Sequence, residues 1–184
     1  MEAALMFQRL FGRERKNRAI TDALYAEIVA AARQPLLYDE WEAPDTPLGR
    51  FEMLSLHMFL FQYRMRDEAG ASRQIAQTLI DDFFADVEQS LRELGIGDMG
   101  VPKRMKKLAR MHYGRTAAYA DALERGDRAA LAAALERNIR PDSMPWPQAD
   151  ALAAYVIDAD RGLAAQSSEA IRSGTIRFPA AHAA

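Results

Sequence analysis

The sequence predicts an all-α fold, a single-domain bundle of about six helices. Three observations predict it. Apolar residues recur at three- and four-residue intervals over most of the chain. Strand-like alternation over four or more residues is hard to find, and β-branched residues are sparse. The chain has 184 residues, 49% of them hydrophobic; at that length a folded domain buries roughly 70% of the surface its unfolded form exposes, so a core needs no staples.

The first helix is expected from about Asn17 to Arg33, with Ile20, Leu24, Ile28 and Ala31 on one stripe. Gln34-Pro35 ends it, because proline disfavours helix at the residue before it. An irregular segment from Leu36 to Pro47 follows. Thr46 reads as an N-cap with Pro47 at the first helical position of the second helix. That helix, Pro47 to about Asp67, is apolar almost all round and therefore belongs mid-bundle. The third helix covers about Ala71 to Leu94 and Gly95 stops it. The fourth opens at Pro102 and ends before Gly126, with Met105, Leu108, His112, Tyr119 and Leu123 inward. Asp127 caps a short fifth helix through Leu131, Leu135 and Ile139, and RPDSMPWP connects it to a sixth from about Gln148 to Arg172. The organisation expected is an amphipathic N-terminal segment over 1–16, a helical domain over 17–174, and a mobile tail over 175–184.

Composition excludes several classes of function. Cysteine is absent, so disulfides, iron–sulfur clusters, thiolate zinc sites and cysteine nucleophiles are excluded. Net charge is -2, which disfavours nucleic-acid binding by bulk charge, and DNA is not an expected partner. A membrane span needs about 20 apolar residues; the most apolar stretch, Met53 to Tyr63, is shorter and carries His57. The N-terminus places its charges after its apolar residues, the reverse of a secretory signal.

Catalytic constellations are thin. His57, His112 and His182 lie far apart and none has a partner at metal-ligand spacing, so no metal and no cofactor is expected. Gly95, Gly97 and Gly100 resemble a phosphate loop only loosely: they join two helices and lack GK[ST]. An enzyme using His57 and Glu52, or a haem protein using a histidine, has little support. Arg50, His57 and Arg64 are seven apart and share a helix face. That face either hydrogen-bonds neighbouring loops, the favoured reading, or binds a partner through its positive charge.

Two anomalies carry more. Lys103, Arg104, Lys106, Lys107, Arg110 and Arg115 bring six cations and no acid into residues 101–115. The helix macrodipole makes cations at a helix start unfavourable, by ~0.3–1 kcal/mol each. They are a solvated face, or pair with Asp81, Asp82, Asp86 and Glu88 of the third helix, or form a docking patch for anionic lipid, RNA or acidic protein. Near the N-terminus, Leu5, Met6, Phe7, Leu10 and Phe11 precede Arg13, Arg15, Lys16 and Arg18. Such a segment either packs on its own domain or lies on a membrane surface or partner. Nine methionines, Met53, Met58, Met65, Met99, Met105 and Met111 among them, fill the core or serve adaptable apolar surfaces.

Two stretches, ARQPLLYDEWEAPDTPLGRFEMLSLHMFL (31–60) and DDFFADVEQSLRELGIGDMGVPKRMKKLARMHYGRTAAY (81–119), resemble the ubiquinol–cytochrome c chaperone family, whose members assist assembly of the cytochrome bc1 complex. The resemblance extends over about Asn17 to Ile139. Its motif falls on Pro44, Asp45, Thr46, Gly49, Arg50, Phe51, Glu52 and His57. A second block falls on Glu93, Gly95, Gly97, Asp98, Gly100, Pro102, Lys103 and Lys106. Trp41-Glu42-Ala43 stands where many relatives have a glycine–valine pair. The resemblance implies an all-helical, non-catalytic chaperone of bacterial type that binds newly made cytochrome b or a similar hydrophobic membrane subunit. It implies a cytoplasmic chain, peripheral on the cytoplasmic face of the inner membrane, with the ribosome and an anionic membrane surface as further partners. The expected partner-binding residues are Arg50, Glu52, His57, Asp98, Lys103, Arg104, Lys106, Lys107, Arg110 and Arg115. The expected membrane contacts are Leu5, Met6, Phe7, Leu10, Phe11, Arg13 and Arg15.

Overall fold

Pro47 at a helix start, with Thr46 before it, sets the element on which the rest is built. In the computed structural model the Thr46 hydroxyl accepts a hydrogen bond from the Gly49 amide, and α3 (Pro47–Met65) runs from there. The structure describes the backbone of residues 2–142 and 145–182, and side chains from residue 17 onward within those ranges. Around α3 lie α1 (Glu2–Ala32), α2 (Pro35–Asp39), α4 (Ala71–Glu93), α5 (Val101–Glu124), α6 (Arg128–Ile139), α7 (Ala149–Ala164) and α8 (Ser168–Arg172). No strand occurs among the described residues. Six of these helices are long, and the two extra ones, α2 and α8, are single turns.

The centrality of α3 follows from its composition. Met53, Leu56, Met58, Phe59, Leu60 and Phe61 are buried on successive faces, and α3 packs on α1, α4, α5, α6 and α7. An all-round apolar helix has no face it can leave to water, so its neighbours must enclose it. Met53, Met58 and Met65 are accordingly core residues. Asp127 caps α6 by accepting from the Ala130 amide. Trp146, buried in the proline-rich connector, donates its indole N–H to the Trp41 carbonyl at 2.9 Å and so locks the α6–α7 turn to the segment after α2.

Three expectations are corrected. Pro35 ends α1 but also opens α2, since a proline's missing N–H and fixed φ suit a first helical position. The expected sixth helix breaks at 165–167: Ser167 adopts an extended conformation and caps α8, while Arg64 reaches over to the freed carbonyls of Leu163 and Gln166 at 3.0 and 2.9 Å. Residues 175–182, expected to be a mobile tail, lie packed against the bundle. Ile176 is buried, Phe178 sits 5.5 Å from the His57 ring, and two glutamines hold the backbone. Gln166 both donates to and accepts from Arg177, each at 2.8 Å. Gln34 donates to the Pro179 carbonyl and accepts from the Ala181 amide. The backbone at the N-terminus is one helix from Glu2 to Ala32; the side chains of Leu5, Met6, Phe7, Leu10, Phe11, Arg13 and Arg15 lie outside the described residues.

Candidate functional site

The corner between α4 and α5 is built from glycine. Gly95 takes φ +78°, a conformation that closes a helix C-terminus at no side-chain cost, and its amide returns to the Arg92 carbonyl at 2.9 Å. The loop then turns through Gly97 and Gly100 into α5, which starts with no side-chain cap. At its tip Met99 is 96% exposed and Leu94 57%. Asp98, the one acid of the tip, is held by Arg92, which also pairs with Glu88 at 2.7 Å.

From this corner the cations of α5 project outward. Met105, Leu108 and His112 turn to the core, while Lys103, Arg104, Lys106, Lys107 and Arg110 are exposed. Among the described residues none of these five makes an ion pair. The acids of α4 that could have neutralised them are engaged elsewhere. Asp82 pairs with Arg18, Asp86 accepts from the Tyr25 hydroxyl, Glu88 pairs with Arg92, and Asp81 accepts from Gln77. The positive charge is thus left uncompensated beside a helix N-terminus, where the macrodipole adds to it.

Two hollows adjoin this face. One, of about 750 Å³, has walls of Leu94, Ile96 and the loop glycines and a rim of Lys103, Arg104, Lys107 and Arg110. The other, of about 710 Å³, lies between α1, α3, α4 and α5 and is lined by Leu48, Phe51, Leu54, Val87, Leu91, Leu94, Ile96 and Leu108, with Arg33, Arg50, Arg104, Asp45, Asp86 and Glu93 around it. They share Leu94, Ile96 and Arg104, so apolar lining and positive rim are continuous. Leu48 is 53% exposed at the edge of the second. These apolar residues were absent from the expected partner-binding set. The available signal was a leucine at each of two helix ends, Leu48 in the first turn of α3 and Leu94 beside Gly95, where a polar residue would be ordinary.

Three expected partner-binding residues lie inside the molecule. His57 is fully buried; its Nδ1–H donates to the Met53 carbonyl at 2.7 Å and its Nε2 accepts from the Tyr155 hydroxyl at 2.9 Å. Burial lowers its pKa to about 4, so it is neutral. Of its two neighbours on the helix, Arg64 is tied to α7 and Arg50 pairs with Asp45 at 2.5 Å. The favoured reading of that face, hydrogen bonding to neighbouring segments, holds for His57 and Arg64. Glu52 is buried and paired with Arg115, itself largely covered. Burial pushes the Glu52 pKa up to about 7 against the pull of the guanidinium, and its second oxygen has no partner. His112 is likewise interior, bonded to Ser55 at 2.7 Å and Gln62 at 3.0 Å, its pKa lowered to about 4 by burial and then by Arg115. Position on α3 was the missed signal: a helix buried on nearly every side carries its polar residues inside as well.

Comparison with known proteins decides what this arrangement belongs to. Residues 39–178 match the family described as ubiquinol-cytochrome C chaperone. The chain belongs to that family. The matched span begins later than the resemblance in sequence suggested and runs further, through α7, α8 and the packed strap to Phe178. The chain is similar to the ubiquinol-cytochrome-c reductase complex assembly factor 1 of Xenopus laevis, 29% identical over 106 residues. That alignment covers 55% of this chain and 52% of the frog protein, so the chain spans about half the length of this relative. Its fold is also that of the crystal structure of the Cbp3 homolog from Brucella abortus, with a TM-score of 0.88 and 53% identity over 95% of this chain and 96% of that one. The family is one of assembly chaperones for the cytochrome bc1 complex, not of enzymes. No helix among the described residues is long and apolar enough to cross a membrane, and no group of three metal-ligating side chains occurs among them.

Proposed function

We propose that this chain assists assembly of the cytochrome bc1 complex by holding newly made cytochrome b, or a similar hydrophobic membrane subunit, at the hollow between α1, α3, α4 and α5. The observation that carries the reading is an open apolar lining in a member of this family, with Leu48 and Leu94 half exposed at its edges. A membrane subunit caught before insertion offers apolar helical segments, and a groove of leucine and valine takes such a segment by its i, i+3, i+4 side chains. Most of the affinity would come from a few anchors, which makes the hold reversible. The five cations beside the groove, unpaired among the described residues, suit an encounter near ribosomal RNA or the cytoplasmic face of the inner membrane.

The test is a strain lacking the gene, complemented by wild-type or Leu48→Asp protein, with assembled bc1 complex measured on native gels. Loss of the complex without the gene, and poor rescue by Leu48→Asp despite normal protein levels, is the expected result. Normal bc1 complex in the deletion strain would remove the proposal.

A further inference from the structure

The two hollows and the five cations point to a more specific surface than the client groove. We infer that the α4–α5 corner docks on an anionic phospholipid bilayer, with Leu94 and Met99 entering the interface and Lys103, Arg104, Lys107 and Arg110 meeting lipid phosphates. The inference does not depend on which client the chain holds.

Four observations support it together. Met99 is an exposed, unbranched apolar side chain at the tip of a loop, and Leu94, at the loop's start, is more than half exposed. Large apolar side chains on a loop tip lose by facing water and gain by entering a headgroup–acyl boundary. The cations follow the tip on the first turns of α5, and four of them rim the hollow that Leu94 lines. Among the described residues they are unpaired, whereas the acids of α4 have other partners. Asp98, the acid of the tip, is ion-paired with Arg92. An acidic protein surface would satisfy the charges, and an RNA would too, but neither needs a bare methionine at the leading edge.

Binding of this kind has a stated form. Each basic residue near an anionic leaflet raises partitioning about fivefold, and the effect fades within a Debye length. The purified full-length chain is sedimented with vesicles of phosphatidylcholine alone and of phosphatidylcholine with phosphatidylglycerol, at low and physiological salt. Inorganic phosphate is added in a parallel arm as the free anion. Binding is expected only with phosphatidylglycerol, weakening with salt and barely displaced by millimolar phosphate. Lys103→Glu with Lys107→Glu should lower it by at least about 30-fold, and Met99→Ser by several-fold. Arg161→Glu, an exposed charge reversal on α7, should leave it unchanged. All of these positions are exposed, and circular dichroism confirms that each variant folds. Equal sedimentation with neutral vesicles, no sedimentation with either, or undiminished binding of the double variant would overturn the inference. So would capture by polyuridylate RNA in place of vesicles. Because vesicles contain no client, a negative result here leaves the bc1 phenotype of the deletion strain untouched, and the reverse also holds.

Discussion

At Gly49 a hydrogen is the whole side chain, and the reason is steric. A Cβ built there would fall 1.9 Å from the Pro44 carbonyl oxygen. The motif PDTPLGRFE is thus a set of local contacts: Thr46 caps the helix, Asp45 pairs with Arg50, and Gly49 lets the Pro44 backbone cross the first turn. Gly49→Ala must push backbone against backbone, and overpacking of this kind costs about 3 kcal/mol or more. Thermal denaturation of the variant should show a large loss of stability; an unchanged midpoint would mean the turn yields freely. The cap was legible in the sequence because Ser, Thr, Asp or Asn before proline has one main use at a helix start. The glycine's role was not, since nothing along the chain announces that a carbonyl five residues earlier returns to it. Glu42 makes the complementary case. It holds φ +55°, a left-handed conformation that glycine adopts most readily, and Arg140 pairs with its carboxylate at 2.6 Å.

Elements show where periodicity stops being informative. The six long helices and their inward stripes were readable because each buries a face through many residues. The segment 175–182 has no such repeat, and its attachment comes from two glutamine amides on other elements that bond to its backbone. Backbone-directed contacts leave no pattern in the residues they hold. Ile176 and Phe178 add apolar anchorage. Ending the chain after Gly174 should therefore destabilise it by about 3 kcal/mol, from loss of a buried isoleucine and part of an aromatic contact, and lower Tm by about 6–12 °C. A truncated chain that melts with the full-length one would return the segment to the status of a tail. The break between α7 and α8 was hidden for a related reason: Arg64, 99 and 102 residues earlier in sequence, donates to the Leu163 and Gln166 carbonyls at the break.

The whole molecule responds to acid through groups that only the fold brings inside. His57 and His112 stay neutral in the folded state down to about pH 4, while in the unfolded chain they take up protons near pH 6.5. The unfolded state therefore binds more protons between those values, and stability falls as pH falls through them. Glu52 acts in the opposite sense. Its pKa of about 7 means the folded state keeps a proton that the unfolded state, titrating near 4.5, has released. The Glu52 contribution is present below about pH 4.5 and lost as pH rises through 7, so it partly offsets the histidines. Two groups against one leave a net loss of about 1 kcal/mol per pH unit between pH 6 and 4.5. Urea unfolding at successive pH values measures it, and Glu52→Gln should steepen the slope to about 2 kcal/mol per unit. A flat profile in the wild-type chain would contradict the burial of both rings.

What the sequence by itself determined was the all-helical class, the long helices with most of their caps and stops, and the family to which the two motif blocks point. These depend on composition, spacing and short-range backbone chemistry, and all are written within a few residues. Which charges are free was decided only by the tertiary structure. Six cations share one stretch of α5, yet Arg115 is spent on Glu52, while five stay unpaired among the described residues because Arg18, Tyr25, Arg92 and Gln77 engage the nearby acids first. A charge is available to another molecule only when its own chain offers no nearer partner, and nearness is a property of the packed bundle.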